Sequence, residues 1–432
     1  MLLLCFAMQA GYSQSIDTAK LNTFFKALDD NQKFMGSIAV SRDGKLLYAK
    51  SVGYSDVDNK SILNENTMYR IGSITKTFTA TLVMKAVEQG KLKLDQTINK
   101  YFFSLPNADK ITIRHLLHHR SGVHDFTNDE AYPGYMTQPK TKAQMLDYII
   151  KGGSDFAPDS KAEYSNSNYV LLTYVLEEVF KQPYPSLLKK YIYDPAKLVH
   201  TFYGGTIEPT RNEAYSYSFV SAWIKESETN MSIPMGAGGI VSTPLDLIRF
   251  ADALYNGKLI TMESLQQMKM IQDGYGMGMI QVPFNEKKGY GHGGSIDGFQ
   301  SLFYYFPEDK VSFALTSNGT NYNNNDISIA VLSAVFNLPI DIPVFTSYPI
   351  TAGELEPLTG LYSSEQIPVE ITITQEGKIL IAQGTGQSSF SLEATAPNQF
   401  KFDRAGIVLE FNVEDKTMLL KQGGGEFLFK KK

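Results

Sequence analysis

Ser73-Ile74-Thr75-Lys76 sets a hydroxyl and an amine three residues apart. On a helix that spacing brings both side chains to one side, a turn apart. A serine beside a neutral amine can lose its proton to it and attack a carbonyl carbon. The unpaired N–H groups of a first helical turn would then stabilise the developing oxyanion. The spacing recurs at Ser186 to Lys189, and a capped surface helix explains either occurrence taken singly. Tyr164-Ser165-Asn166 offers a phenol that could relay protons to Ser73 and later to a leaving amine. Asn166 would hold Lys76 and a substrate amide. This pattern also recurs, at Tyr322-Asn323-Asn324, and a polar turn before a helix is the plainer reading of one copy alone. His292-Gly293-Gly294-Ser295 falls between two predicted strands. Gly293 and Gly294 would let a substrate approach the backbone closely. The N–H of Ser295 could pair with that of Ser73 as an oxyanion hole. His292 could bind a carboxylate when protonated or donate a hydrogen bond when neutral; a hairpin with a structural histidine is the alternative.

These groups need elements to carry them. Residues 17–31 read as a helix, followed by strands over 35–41 and 45–52 around Arg42-Asp43-Gly44, a hairpin signal. Residues 74–89 form a helix ended by Gly90, apolar on nearly every face and therefore buried mid-domain. A second helix spans 169–181. Thr243-Pro244-Leu245-Asp246 reads as a helix start, with Thr as cap and Pro in the first position. Strands are expected over 275–283, 299–306 and 310–316, then a helix near 325–336. The order predicts an α+β domain whose sheet is completed by the first and last segments. After Pro343 the texture changes. Residues 344–356 read as a linker, and 357–432 as a small all-β barrel or sandwich of seven short alternating strands.

Forty Lys and Arg against 45 Asp and Glu leave a net charge of −5, which excludes a strongly basic nucleic-acid binder. A single cysteine, Cys5, excludes a disulfide scaffold and a thiolate zinc cluster within one chain. Residues 1–15, with the apolar run Leu2 to Ala10, read as a secretory signal segment. The segment is short and no Lys or Arg precedes its apolar run, as in a truncated signal. No other run approaches the ~18 apolar residues of a membrane span. The expected location is periplasmic or secreted. His115, His118, His119 and His124 have helical spacing for a metal, but no acidic partner stands out and Arg114 and Arg120 flank them, so no metal or other cofactor is expected. The aromatic-rich loops 126–135 and 215–223 are candidates to line a cleft.

Taken in order, serine and lysine on a buried helix, Tyr-x-Asn, then His-Gly-Gly before a strand resemble the penicillin-binding protein and β-lactamase superfamily. The resemblance is to its class C-like branch of D-alanyl-D-alanine carboxypeptidases, D-aminopeptidases, esterases and class C β-lactamases. It covers about residues 20–340 and extends to Tyr69-Arg70-Ile71-Gly72, residues 111–122 and residues 237–247. Ser186 and Tyr322 fall outside the order. The resemblance implies Ser73 as nucleophile and Lys76 as its base or proton relay. It implies Tyr164 as shared base and acid, Asn166 as a substrate ligand and His292 in the third-motif position. β-Lactamases often carry Lys-Thr-Gly at that third position, and His-Gly-Gly disfavours efficient antibiotic hydrolysis. The terminal β domain resembles lipocalin-like extensions behind some members. The expected activity is serine hydrolysis through an acyl-enzyme, on peptides or amides containing D-amino acids, cell-wall peptides among them. An ester hydrolase, a class C-like β-lactamase and a penicillin-binding sensor with little turnover are the alternatives.

Overall fold

A computed structural model describes residues 16–432; residues 1–15, read above as a signal segment, and Cys5 among them lie outside the described residues. Helix α1 (Thr18–Asp30) starts where the Asp17 carboxylate accepts from the Lys20 N–H at 2.9 Å, satisfying a donor that the helix leaves free. Strands β1 (Phe34–Arg42) and β2 (Lys45–Val52) form the expected hairpin. Asp43 and Gly44 both turn at positive φ, the backbone that twists a tight hairpin correctly.

Helix α2 (Thr75–Glu88) follows a tight 3-10 turn over Gly72–Ile74 and is buried on almost every side. Its threonines are poor intrinsic helix formers. Tertiary contacts hold them instead: the Thr77 hydroxyl donates to the Gly278 carbonyl at 2.5 Å and that of Thr79 to the Gly236 carbonyl at 2.7 Å. Helix α3 (Asn166–Phe180) begins three residues before the expected 169, so the Tyr-x-Asn motif straddles its start. Helix α4 (Pro244–Tyr255) starts as expected, with the Thr243 hydroxyl accepting from the Asp246 N–H at 3.1 Å.

Four strands follow: β3 (Ile280–Phe284), β4 (Lys287–Ile296), β5 (Phe299–Phe306) and β6 (Val311–Thr320), then helix α5 (Asn324–Val335). The expected strand over 275–283 thus begins late, and His292 lies within a strand rather than between two. Glycines at 289, 291, 293 and 294 remove the apolar alternation that would have marked β4. The antiparallel sheet has the order β3-β4-β5-β6-β1-β2, so the first hairpin pairs with the last strand, Ile38 opposite Leu315. Helices α1 and α5 cover one face over Phe25, Ile38, Phe313 and Val331. Helices α2, α3 and α4 belong to the other core, with Phe78, Leu82, Tyr169, Phe250 and Phe303. This α+β layering buries both faces of the sheet. Beyond Gly291, which pairs with Ile280 of β3, the rest of β4 has only β5 as a strand partner. Its other edge meets the turn that carries Ser73.

The C-terminal strands are β7 (Gly360–Ser363), β8 (Glu370–Glu376), β9 (Ile379–Gly384), β10 (Phe390–Ala396), β11 (Gln399–Phe402), β12 (Ile407–Asn412), β13 (Thr417–Gln422) and β14 (Gly425–Lys431). They form a closed eight-stranded barrel in sequence order, sealed by Tyr362 opposite Lys431. Strand β7 was not expected; at four residues with a glycine it carries little pattern. Side chains including Tyr362, Ile373, Phe400, Met418 and Phe429 fill the interior, as eight strands allow. Leu355, within the stretch read as a linker, and Leu358 plug the same core from two short helical turns. No helix among the described residues is long and apolar enough to cross a membrane.

Candidate active site

Ser73 sits on the 3-10 turn, and its hydroxyl lies 3.0 Å from Lys76 Nζ and 2.7 Å from Tyr164 Oη. Lys76 is wholly buried. Its Nζ also donates to Asn166 Oδ1 at 2.7 Å and to the Ala237 carbonyl at 2.8 Å. Burial pushes its pKa down to about 7, against a smaller upward pull from Asp125. The bonding inventory suits the neutral amine. Two of its neighbours are pure acceptors and take its two N–H groups; the third, a hydroxyl, can donate to its lone pair. Ser73 completes the pattern by accepting from the phenol of Tyr164. Burial holds that phenol well above its usual range, so it keeps its proton.

Asn166 is the first helical residue of α3. Its Nδ2 donates to Asp125 Oδ2 at 3.0 Å and to the Thr127 hydroxyl at 3.2 Å, which turns Oδ1 toward Lys76. Asp125 and Thr127 were not singled out in the sequence; an Asp two residues before a Thr is an ordinary turn signal. His119 was noticed only as a metal candidate. It is buried, stacks on Tyr164 at 4.5 Å between ring centroids, and its Nδ1 accepts from the Ser165 N–H at 3.1 Å. Burial and the neighbouring Lys76 hold it neutral.

The four histidines do separate work. His115 caps the helix Ile113–Leu117, His118 bonds the Tyr275 carbonyl at 3.1 Å, and His124 pairs with Asp155 at 2.9 Å. Among the described residues no group of three or more His, Cys, Asp or Glu side chains converges as metal ligands. Ser186 and Lys189 are exposed, Lys189 bound to Asp194.

The close approach of β4 to the turn that carries Ser73 depends on glycines. Gly72 adopts φ +50°, and a Cβ there would lie 2.8 Å from Ser295 N. The Ser295 backbone N–H therefore lies beside the Ser73 turn. A Cβ at Gly294 would collide with the Ile71 carbonyl, so packing of one backbone on another, rather than substrate, forbids a side chain there. Gly293 has no such neighbour and opens onto the cleft.

His292 departs most from expectation. It is buried, its ring centroid 6.2 Å from that of Tyr164, and it lines neither part of the cleft. Its Nδ1 donates to the Gly293 carbonyl at 2.5 Å. Burial, with Lys76 nearby, pushes its pKa down to about 4. A protonated His292 capturing a carboxylate is thereby removed from the neutral range, because desolvation outweighs the one favourable hydrogen bond.

The cleft has two parts that meet at Ser73. One, about 420 Å³, is walled by Phe126, Thr127, Tyr132, Ile296 and Asp297. The other, about 690 Å³, is the one Tyr164 lines, with Gly293, Gln300, Tyr322 and Asn324. The loop 126–135 thus reaches the site. The segment 215–223 instead packs elsewhere, with Tyr217 and Trp223 against Met35 and Phe299.

An α+β body with a Ser-x-x-Lys turn facing an open strand edge defines the serine hydrolases of the β-lactamase and penicillin-binding protein class. The Beta-lactamase family matches residues 21–336, and the chain belongs to it. Penicillin-binding protein 4* of Bacillus subtilis is 26% identical over 94% of this chain and 97% of its own length. Teichoic acid D-alanine hydrolase of Staphylococcus aureus is 28% identical over 69% of this chain and 75% of its own. The structure of D-amino acid amidase from Ochrobactrum anthropi SV3 superposes with a TM-score of 0.66, 26% identity, over 74% of this chain and 99% of that one. The octameric penicillin-binding protein homologue from Pyrococcus abyssi shares the fold over 96% of this chain and 100% of its own, at TM-score 0.67 and 23% identity.

Proposed function

We propose that this protein hydrolyses peptide or amide bonds that follow a D-amino acid, through a covalent ester on Ser73, with D-alanyl-D-alanine peptides as the leading substrates. The single observation that carries this reading is the Ser73 hydroxyl held at once by Lys76 Nζ at 3.0 Å and Tyr164 Oη at 2.7 Å. Neutral Lys76 takes the serine proton as Oγ bonds to the carbonyl carbon. The N–H groups of Ser73 and Ser295 receive the oxyanion. As the C–N bond breaks, Tyr164 protonates the leaving nitrogen, and the proton on Lys76 makes good the phenol's loss. Water then repeats the sequence on the ester, releasing a carboxylate and the free serine. The names of two relatives, one acting on D-amino acid amides and one on the D-alanine of teichoic acid, support the D-configuration. The apolar run Leu2 to Ala10 supports a location outside the cytoplasmic membrane.

Ser73→Ala abolishes covalent labelling by a fluorescent penicillin or a fluorophosphonate; undiminished labelling removes the nucleophile. An N-acyl-D-Ala-D-Ala peptide is expected to be cleaved and its L,L isomer not. Equal turnover of the two isomers, or cleavage of p-nitrophenyl esters alone, overturns the substrate reading.

A further inference from the structure

The larger part of the cleft is completed by the terminal barrel. Between β11 and β12 a tight turn over Asp403–Ala405 reaches the catalytic domain, and Arg404 from it lines the space beside Ser73, Tyr164 and Ser295. Every other residue of that lining is uncharged. Among the described residues Arg404 makes no hydrogen bond or ion pair with another side chain. The carboxylate that acts on it is Glu226, which lines the opposite part of the cleft. The turn is held in place. Buried Lys33 donates to Asp403 Oδ2 at 2.8 Å and to Glu393 Oε2 at 2.6 Å, and Asn321 Nδ2 donates to Glu393 Oε1 at 2.7 Å.

The chemistry assigns a direction to this space. Tyr164 is the proton donor to the leaving nitrogen, and it lines the part with Arg404 and not the other. The leaving group therefore departs toward Arg404. A buried amide there has one free acceptor: Asn324 donates through Nδ2 to Gln300 at 3.0 Å, while its Oδ1 has no partner. His292, neutral and behind Tyr164, supplies no cation, and Lys76 is committed to Ser73, Asn166 and Ala237.

We propose that Arg404 binds a carboxylate on the leaving group, so that the barrel is part of the active site and selects substrates whose departing amino acid carries a free carboxylate. This deepens the reading above and rests on it for the D-peptide. A guanidinium meets a carboxylate through a planar two-pronged contact that a neutral amide does not repay.

The test compares kcat/KM for an N-acyl-D-Ala-D-Ala peptide and for the same peptide with a C-terminal amide. It also compares 3-acetoxybenzoic acid with its methyl ester, so that a charged leaving group is probed even if D-peptides are not cleaved. The full-length protein is expected to favour the acid of each pair, and Arg404→Gln to cut that acid-to-neutral ratio about ten- to a hundredfold. Arg404→Lys should recover part of the ratio, since it keeps the charge and loses the fork. Melting temperature checks that the exposed side chain is not needed to fold. A ratio that moves less than about twofold in Arg404→Gln, or no preference for the acid in the unaltered protein, overturns the proposal. Cleavage of the esters with the expected ratio but not of either peptide would sink the D-peptide reading and leave Arg404 its role.

Discussion

At Lys76 the loss of hydration brings the pKa to about 7, so near neutrality a large share of the amine presents a lone pair to Ser73. The reactive form is the deprotonated one. For an uncharged ester, kcat/KM should rise about tenfold per pH unit below about 7 and level off above it. Asp125 favours the ammonium, so Asp125→Asn should move that limb toward lower pH, while the plateau falls because Asn166 loses its orienting acceptor. Profiles between about pH 5 and 9 check both effects. A limb that stays in place would show that the charge of Asp125 does not reach the amine. His292, at about 4, contributes no step in that window. The decline for acidic substrates through the ordinary histidine range, which a charged His292 would produce, is therefore not expected. Finding it would return the carboxylate to that imidazole.

Among the elements, β4 carries the most function on the least pattern. Its residues 292–296 lack a second strand neighbour and lie against the turn that carries Ser73, an approach that bare Cα atoms at 72 and 294 permit. Gly294→Ala forces the new methyl into the Ile71 carbonyl. The expected result is a loss of about 1–3 kcal/mol in urea unfolding, with acylation slowed further as the Ser295 N–H moves off the oxyanion. Gly293→Ala, where the space is open, should leave the urea midpoint close to its original value. Equal destabilisation by both would mean that the strand is merely intolerant of side chains. The sequence could not announce β4, because strand prediction reads alternation and glycine supplies none. Helices α1 and α4 were legible because an apolar period and a cap are written locally, and α2 because a continuous apolar run ended by Gly90 is.

For the whole molecule, the barrel and the catalytic domain are joined by Lys33, whose amine is buried between carboxylates of the barrel. Lys33→Ala should loosen that dock without touching the cleft. Hydrogen exchange in residues 403–405 is expected to rise, and the acid-to-neutral substrate ratio to fall as it does on losing Arg404. Faster exchange with an unchanged ratio would separate docking from specificity. Sequence alone singled out Ser73, Lys76 and Tyr164 in their order, the hairpin that closes the sheet, and seven of the eight barrel strands, since each is marked by neighbours in the chain. Tertiary structure alone decided that burial pulls the Lys76 pKa down toward neutrality, that His292 is neutral and set back, and that an arginine from the last domain lines the cleft beside Ser73. Those properties follow from burial and from distances through space, and no spacing along the chain encodes either.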